Sequence, residues 1–201
     1  MVQKKELHDE NMPSGKDIIS SGKPSAKETK KNSAKEMLKV IIYAVVIAVV
    51  LKLSVVDTRV IISGSMLPTI EISDRVILNR LAYVGKLAPQ RGDIIVFTSE
   101  EKALSNEDLI KRVIALPGET VEIKYGAVYI DGKALSEDYI AEKPLYDYGP
   151  VTIPDNCYFL LGDNRNNSYD SHLWLNPFVP EDDIKGEAVC CYWPLDRLSL
   201  Y

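Results

Sequence analysis

Two serines, one lysine and a dense run of polar side chains carry the chemistry-bearing patterns of this chain. Ser63-Gly64-Ser65 follows Ile61-Ile62 and precedes Met66-Leu67-Pro68-Thr69. A strand ending there does not continue through Pro68, so a serine hydroxyl is displayed on a sharp bend. Ser, Gly and Pro also make ordinary turns, and for this segment alone that reading stays open. Lys111 stands near the start of Leu109-Ile110-Lys111-Arg112-Val113-Ile114-Ala115, ahead of Leu116-Pro117-Gly118-Glu119. Strand alternation puts it on the face of Val113 and Ala115. A lysine is seldom buried without a reason, although on an edge strand it serves equally as a guard against aggregation. The run Leu161–Ser171, LGDNRNNSYDS, packs hydrogen-bonding side chains directly after an apolar strand. It suits either a solvated loop or a rigid polar scaffold beside a site. Ile72–Asn79 reads as a polar turn feeding a strand, with a structural part.

A serine hydroxyl needs a base before it attacks an amide. A lysine base has to be neutral, and moving its pKa from about 10.4 to about 7–8 is a shift of roughly 3 units, or about 4 kcal/mol. Desolvation among apolar side chains supplies shifts of that size. The strand around Lys111, with Met66 or Leu67, offers such surroundings. A Ser-His-Asp arrangement would have to use His172, the only histidine outside the N-terminal 39 residues. A cysteine nucleophile would need His and Arg beside Cys157, Cys190 or Cys191, yet the vicinal pair ends an aromatic strand and reads as structural. With three cysteines and no CxxC or CxxH, neither a disulfide scaffold nor a structural zinc is expected. No cofactor and no metal are expected.

The elements that must position these residues follow from composition and charge. The 201 residues are 46% apolar, with 24 Lys plus Arg against 29 Asp plus Glu and a net charge of −5. That excludes a chain disordered throughout, and the acidic balance argues against nucleic acid as a partner. The charge is unevenly placed. Residues 1–39 hold nine Lys and six acids, a net of +3, with no Arg, Phe, Tyr or Trp; residues 1–36 are expected to be a disordered cytoplasmic tail. Met37–Val56, MLKVIIYAVVIAVVLKLSVV, has only Lys39 and Lys52 charged. Twenty residues at about 1.5 Å each span about one hydrocarbon core, so 37–56 reads as a transmembrane helix with Lys52 snorkelling near its end. A buried core helix is the alternative, because the uninterrupted apolar run is only Val40–Leu51. The long preceding region and the lack of a small-x-small site disfavour a signal peptide. The preceding lysines place the N-terminus in the cytoplasm. Everything after Val56, with 14 basic and 23 acidic residues, then lies outside.

From Asp57 the pattern becomes short strands: Val60–Ile62, Arg75–Leu78, Ile94–Thr98, Leu109–Ala115, Val121–Lys124, Ala127–Ile130, Tyr158–Leu161 and Ala188–Tyr192. Gly, Pro, Asn and Asp punctuate the gaps, and Tyr125-Gly126 and Asp131-Gly132 suit tight turns. Ser99–Asp108 reads as a loop. Residues 131–156 read as an excursion rather than core. The fold class is mainly β, a barrel or sandwich ectodomain preceded by one transmembrane helix. Its catalytic core would be 57–116 with 157–201, and 117–156 a small inserted β subdomain.

Taken together, SGSMLPT, DRVILN, KRVIALPGE and GDNRNNSYDS, in that order behind an N-terminal anchor, resemble the motifs of the type I signal peptidases, membrane-bound Ser/Lys proteases. The resemblance runs from Met37 to about Leu198 and includes the ending Tyr192-Trp193-Pro194-Leu195-Asp196-Arg197. It implies Ser65 as nucleophile and Lys111 as general base, with the Ser63 hydroxyl and the Ser65 backbone N–H as oxyanion hole. It further implies that Ser168 hydrogen-bonds the lysine amine, and that Asp163 and Arg112 form a supporting ion pair with Asp170 nearby. Two positions depart from the family pattern: Asn166 stands where Asp is usual and His172 where Arg is usual. That arginine normally pairs with the carboxylate matching Asp170, and His172 would replace the ion pair only when protonated.

The implied partners are preprotein signal peptides, membrane lipid and the nearby secretion translocon. The implied location is the plasma membrane, single-pass, with the catalytic domain extracellular. A substrate would add as an extended strand between Val60, Ile61 and Ile62 on one side and Asp108, Leu109 and Ile110 on the other. Two other classes remain to be told apart. A self-cleaving repressor protease shares the Ser/Lys chemistry but lacks an anchor. A non-catalytic membrane-anchored β-domain would not need Ser65 or Lys111.

Overall fold

The computed structural model describes residues 26–85, 87–99 and 107–201, with helix side chains given for residues 35–50. Most of the expected tail and most of the loop expected over Ser99–Asp108 lie outside the described residues. Helix α1 (Ala26–Ser54) starts inside the stretch expected as tail, where Ala, Glu and Lys favour helix and Lys39 pairs with Glu36 at 2.8 Å. From Met37 to Val50 its large apolar side chains are exposed. Among the described residues no helix is long and apolar enough to cross a membrane; the described side chains of α1 stop at Val50, short of the end of the apolar stretch.

The rest is antiparallel β. Strands β1 (Val56–Val60), β2 (Arg75–Asn79), β3 (Ile94–Thr98), β4 (Asp108–Ala115), β9 (Cys157–Leu161), β10 (Val179–Pro180) and β11 (Ile184–Trp193) form a sheet in the order β1-β2-β11-β3-β4-β9-β10, with β12 (Ser199–Leu200) paired to β11. A second sheet of β5 (Thr120–Lys124), β6 (Ala127–Ile130), β7 (Lys133–Ala134) and β8 (Tyr148–Thr152) has the order β7-β6-β5-β8. The hairpins fall where the sequence places them. Tyr125 and Gly126, like Asp131 and Gly132, have positive φ, as a two-residue hairpin turn matched to strand twist requires.

The first strand lies earlier than Val60–Ile62. VDTRV alternates half-buried and exposed positions as an edge strand, so it lacks the apolar run that marks inner strands. Ile61 still bonds the turn after it through Asp74 O and Ser73 N (2.9 and 2.8 Å), but the ladder ends at Val60. Residues 131–156 are more than an excursion. β8 pairs with β5 although it carries Gly149 and Pro150, because an edge strand tolerates a missing N–H. Ile153 is fully packed in a core with Ile114, Val121, Ile123, Val128, Phe159 and Leu161, which joins the two sheets. A second cluster of Ile61, Met66, Ile70, Val76, Ile94 and Ala188 fills the space beneath the Ser63–Ser65 bend.

Candidate active site

Ser65 is placed by the abrupt end of β1. Beyond Ile61 the chain turns through Ser63-Gly64-Ser65, closed by Leu67 N–H to Gly64 O (3.2 Å) and Ile70 N–H to Met66 O (3.0 Å). Met66 is fully buried and plugs the bend into the core. Lys111 comes from β4. That strand is buried on both faces from Lys111 to Ala115, and its pairing to β9 slips between Val113 and Ala115. Simple alternation therefore fails: Ala115 packs with Ile114 in the inter-sheet core, whereas Val113 packs with Ile95 and Phe97. A bulge changes side-chain parity, so the face of Lys111 does not follow from that of Ala115.

Separated by 46 positions, Lys111 and Ser65 meet. Lys111 Nζ donates to Ser65 Oγ at 2.8 Å and to Ile110 O at 3.0 Å. Lys111 is 3% exposed and Ser65 8%. Burial draws the Lys111 ammonium down to about 8, against the upward pull of the Asp170 and Asp163 carboxylates. Ser63 is exposed, with its Oγ 3.4 Å from Ser65 Oγ.

Behind the pair, Arg112 forks onto Asp163, Nε to Oδ1 at 2.8 Å and Nη2 to Oδ2 at 2.7 Å, and donates to Gly92 O at 2.8 Å. Asp163 is fully buried and also accepts from Thr69 Oγ1 at 2.5 Å. Asp170, fully buried, accepts from the Gly162 N–H at 2.9 Å and pairs with His172 Nδ1 at 2.6 Å. The His172 contact does not require a protonated ring, because a neutral imidazole with its proton on Nδ1 donates equally. The ring stacks on Tyr146 with centroids 3.9 Å apart.

The bond expected between Ser168 and the lysine is not made. Ser168 is 5% exposed and, among the described residues, its Oγ has no hydrogen-bond partner, while Lys111 spends two of its N–H groups on Ser65 and Ile110. Ser168 nevertheless lies beside Gly162, next to the Ser65 backbone. A Cβ added at Gly162 would collide with both Ser168 Oγ and Ser65 O, so only glycine allows this loop to pass so close to the Ser65 backbone.

Four contributors escaped the sequence reading. Asn164 holds the bend directly, by Nδ2 to Gly64 O at 3.0 Å and N–H to Ser65 O at 3.1 Å. Arg165, 1% exposed, pairs with Glu137 through two bonds of 2.8 and 2.6 Å. Tyr139 covers the Arg112 guanidinium, its ring centroid 4.1 Å from Cζ. The Asn164 and Arg165 positions lie in the polar run already singled out; Glu137 and Tyr139 carry no local signal, since the arginines they contact are distant in sequence.

A cleft of about 550 Å³ opens over Ser65 and Lys111. Val60, Ile61 and Ile62 line one wall and Asp108, Leu109 and Ile110 the other. Opposite β3, and among the described residues, β4 is unpaired over 108–111, because β9 bonds it only from Arg112 onward. Arg59 on β1 reaches Asp108 on β4 at 3.1 Å, and Lys185 also bonds Asp108. Although partial burial pushes it up, Lys185 and Arg59 hold the Asp108 carboxyl below its usual range.

The signal peptidase, peptidase S26, family model matches residues 34–193. Probable signal peptidase I-2 of Synechocystis sp. is 47% identical over 153 residues, covering 75% of this chain and 69% of that protein. Signal peptidase I of Leptolyngbya laminosa is 46% identical over 154 residues, covering 74% of each. A solved signal peptidase I from Enterococcus faecalis aligns with a TM-score of 0.45 at 37% identity, over 51% of this chain and 97% of that one. By that match and those identities, the chain is a peptidase of the signal peptidase family, peptidase S26.

Proposed function

We propose that this chain removes signal peptides from secreted preproteins, with Ser65 as nucleophile and Lys111 as general base. The observation that carries the reading is the 2.8 Å contact of Lys111 Nζ with Ser65 Oγ in a buried setting that lowers the amine to about 8. At pH 7 that pKa leaves about a tenth of Lys111 neutral, against roughly one molecule in 3,000 at the unperturbed value. The neutral amine takes the Ser65 proton as Oγ attacks the scissile carbonyl carbon. The oxyanion is held by the Ser65 N–H and the Ser63 hydroxyl. Lys111 then returns the proton to the departing amine, leaving an acyl-enzyme on Ser65. It next takes a proton from water, which attacks the ester and frees the serine. Ser168 offers a buried hydroxyl for the lysine's remaining N–H. Arg112, Asp163 and Asp170 keep the groups behind the pair fixed.

The substrate adds as a strand to the open edge of β4, with Val60–Ile62 on its other side. Residues 57–116 and 157–201 act as catalytic core and 117–156 as an insert. The stretch Met37–Val56 anchors the chain once in the plasma membrane, N-terminus in the cytoplasm and catalytic domain outside. The anchor holds the site at the lipid surface near the translocon, where signal peptides end. The apolar side chains exposed along α1 support this placement. The test is cleavage of a preprotein by the full chain in non-ionic detergent. Ser65→Ala should abolish cleavage at the signal-peptide junction, and retained cleavage rejects the reading.

A further inference from the structure

We infer that segment 137–146 is a positioning clasp for the active-site loop 162–172, acting through Arg165 and Asn166 on the backbone of Ser65. The inference rests on Ser65 and Lys111 being the catalytic pair. Loop 162–172 touches the nucleophile through Asn164, which binds Gly64 O and Ser65 O, and through Gly162, packed against Ser65 O. The loop's one regular element is a three-residue turn of helix, Arg165–Asn167. Asp163 is held by Arg112 and Thr69, and Asp170 closes the loop onto the Gly162 N–H; the stretch between them is held from 137–146, in three successive contacts. Glu137 takes both terminal nitrogens of Arg165, whose Nε also donates to Gly162 O at 3.1 Å. Asn166 Oδ1 accepts the Leu145 N–H at 2.9 Å while its Nδ2 donates to Lys143 O at 3.0 Å. Tyr146 stacks on His172, which binds Asp170.

The chemistry of these contacts points to positioning. The side chains of Arg165 and Glu137 are 0% and 4% exposed. A buried ion pair is a poor source of net stability, but its two-pronged geometry fixes direction well. Tyr139 adds a second tie: its hydroxyl donates to Glu137 at 2.8 Å and its ring covers Arg112, the partner of Asp163. The segment thus grips both the loop before Ser168 and the ion pair behind Lys111. Neither grip touches the walls at Val60–Ile62 and Asp108–Ile110 where substrate pairs. The gripped loop lends Asn164, Asn167 and Tyr169 to the cleft, but its direct bonds go to the backbone of Gly64 and Ser65, so loss of the clasp slows chemistry more than it weakens binding.

The test uses the full chain in non-ionic detergent, with kcat and KM for a preprotein measured where circular dichroism shows each variant folded. Glu137→Gln leaves one acceptor and removes the charge; Asn166→Ala cuts three exposed bonds, to Leu145, Lys143 and Glu142, without burying a charge. Expected are a kcat lower by about thirty-fold for Glu137→Gln and about three-fold for Asn166→Ala, with KM within two-fold. Glu137→Asp should recover part of the first loss. Wild-type kcat in both folded variants, or losses confined to KM, overturns the clasp; if Glu137→Gln does not fold, Asn166→Ala decides. Ser65→Ala in the same assay separates the two readings. Activity left in it sinks the catalytic pair, whereas an inactive Ser65→Ala beside full-rate clasp variants sinks the clasp alone.

Discussion

Replacing Lys111 by methionine should abolish activity and yet stabilise the protein near neutral pH. The amine titrates at about 8 in the folded chain against 10.5 when free. Between those values the unfolded chain binds more protons, so stability rises with pH across the window. The full difference is present above 10.5 and lost below 8. From pH 7 to pH 10 the wild type should gain about 2–3 kcal/mol from this group. Methionine has similar bulk, carries no charge and gives up two hydrogen bonds worth about 1 kcal/mol each. The variant should thus be about 1 kcal/mol more stable at pH 7 and less stable at pH 10. Urea unfolding of the full chain in non-ionic detergent, followed by the fluorescence of Trp174, 7% exposed, measures this. Taking the difference between the two proteins cancels every other titrating group. A difference that stays flat from pH 7 to pH 10 would refute the claim that burial, rather than a compensating charge, sets the state of Lys111.

Lys111→Arg should be inactive in preprotein cleavage despite equal charge, because a guanidinium does not lose its proton at any working pH. Ser63→Ala should lower kcat by about 10²-fold with little change in KM, as removal of one oxyanion donor does; a kcat within two-fold of wild type would take Ser63 out of the hole. Arg112→Leu leaves Asp163, fully buried, without its guanidinium and should cost about 3–5 kcal/mol in denaturant unfolding. A loss below about 1 kcal/mol would mean that Thr69 alone satisfies that carboxylate.

The site was more legible in the sequence than the scaffold around it, for a physical reason. Ser65 follows the end of β1 and Lys111 stands inside β4, where local signals (Pro68 after a bend, a lysine in an apolar run) mark a departure from ordinary packing. Asp163 and Asp170 lie in a run whose polarity is itself visible. Glu137 is an unremarkable acid in a Pro- and Tyr-rich stretch, and only the fold brings it 28 positions along to Arg165. Edge strands blurred likewise. β1 alternates without an apolar run and β8 contains proline, so both were placed late or missed, whereas the inner strand β3, buried from Ile94 to Phe97, announced itself. The hydroxyl of Ser168 shows the opposite limit: its position was legible, but its partner depends on where a buried side chain turns.

The pH dependence of kcat/KM for preprotein cleavage is the measurement on which the Ser65/Lys111 account stands or falls. A neutral lysine base with the pKa that burial gives it requires a rate that climbs tenfold per pH unit on the acid side. The climb should level off near pH 8 and be unchanged by His172→Gln. An acid limb that disappears in His172→Gln would instead make the histidine the base and contradict the account.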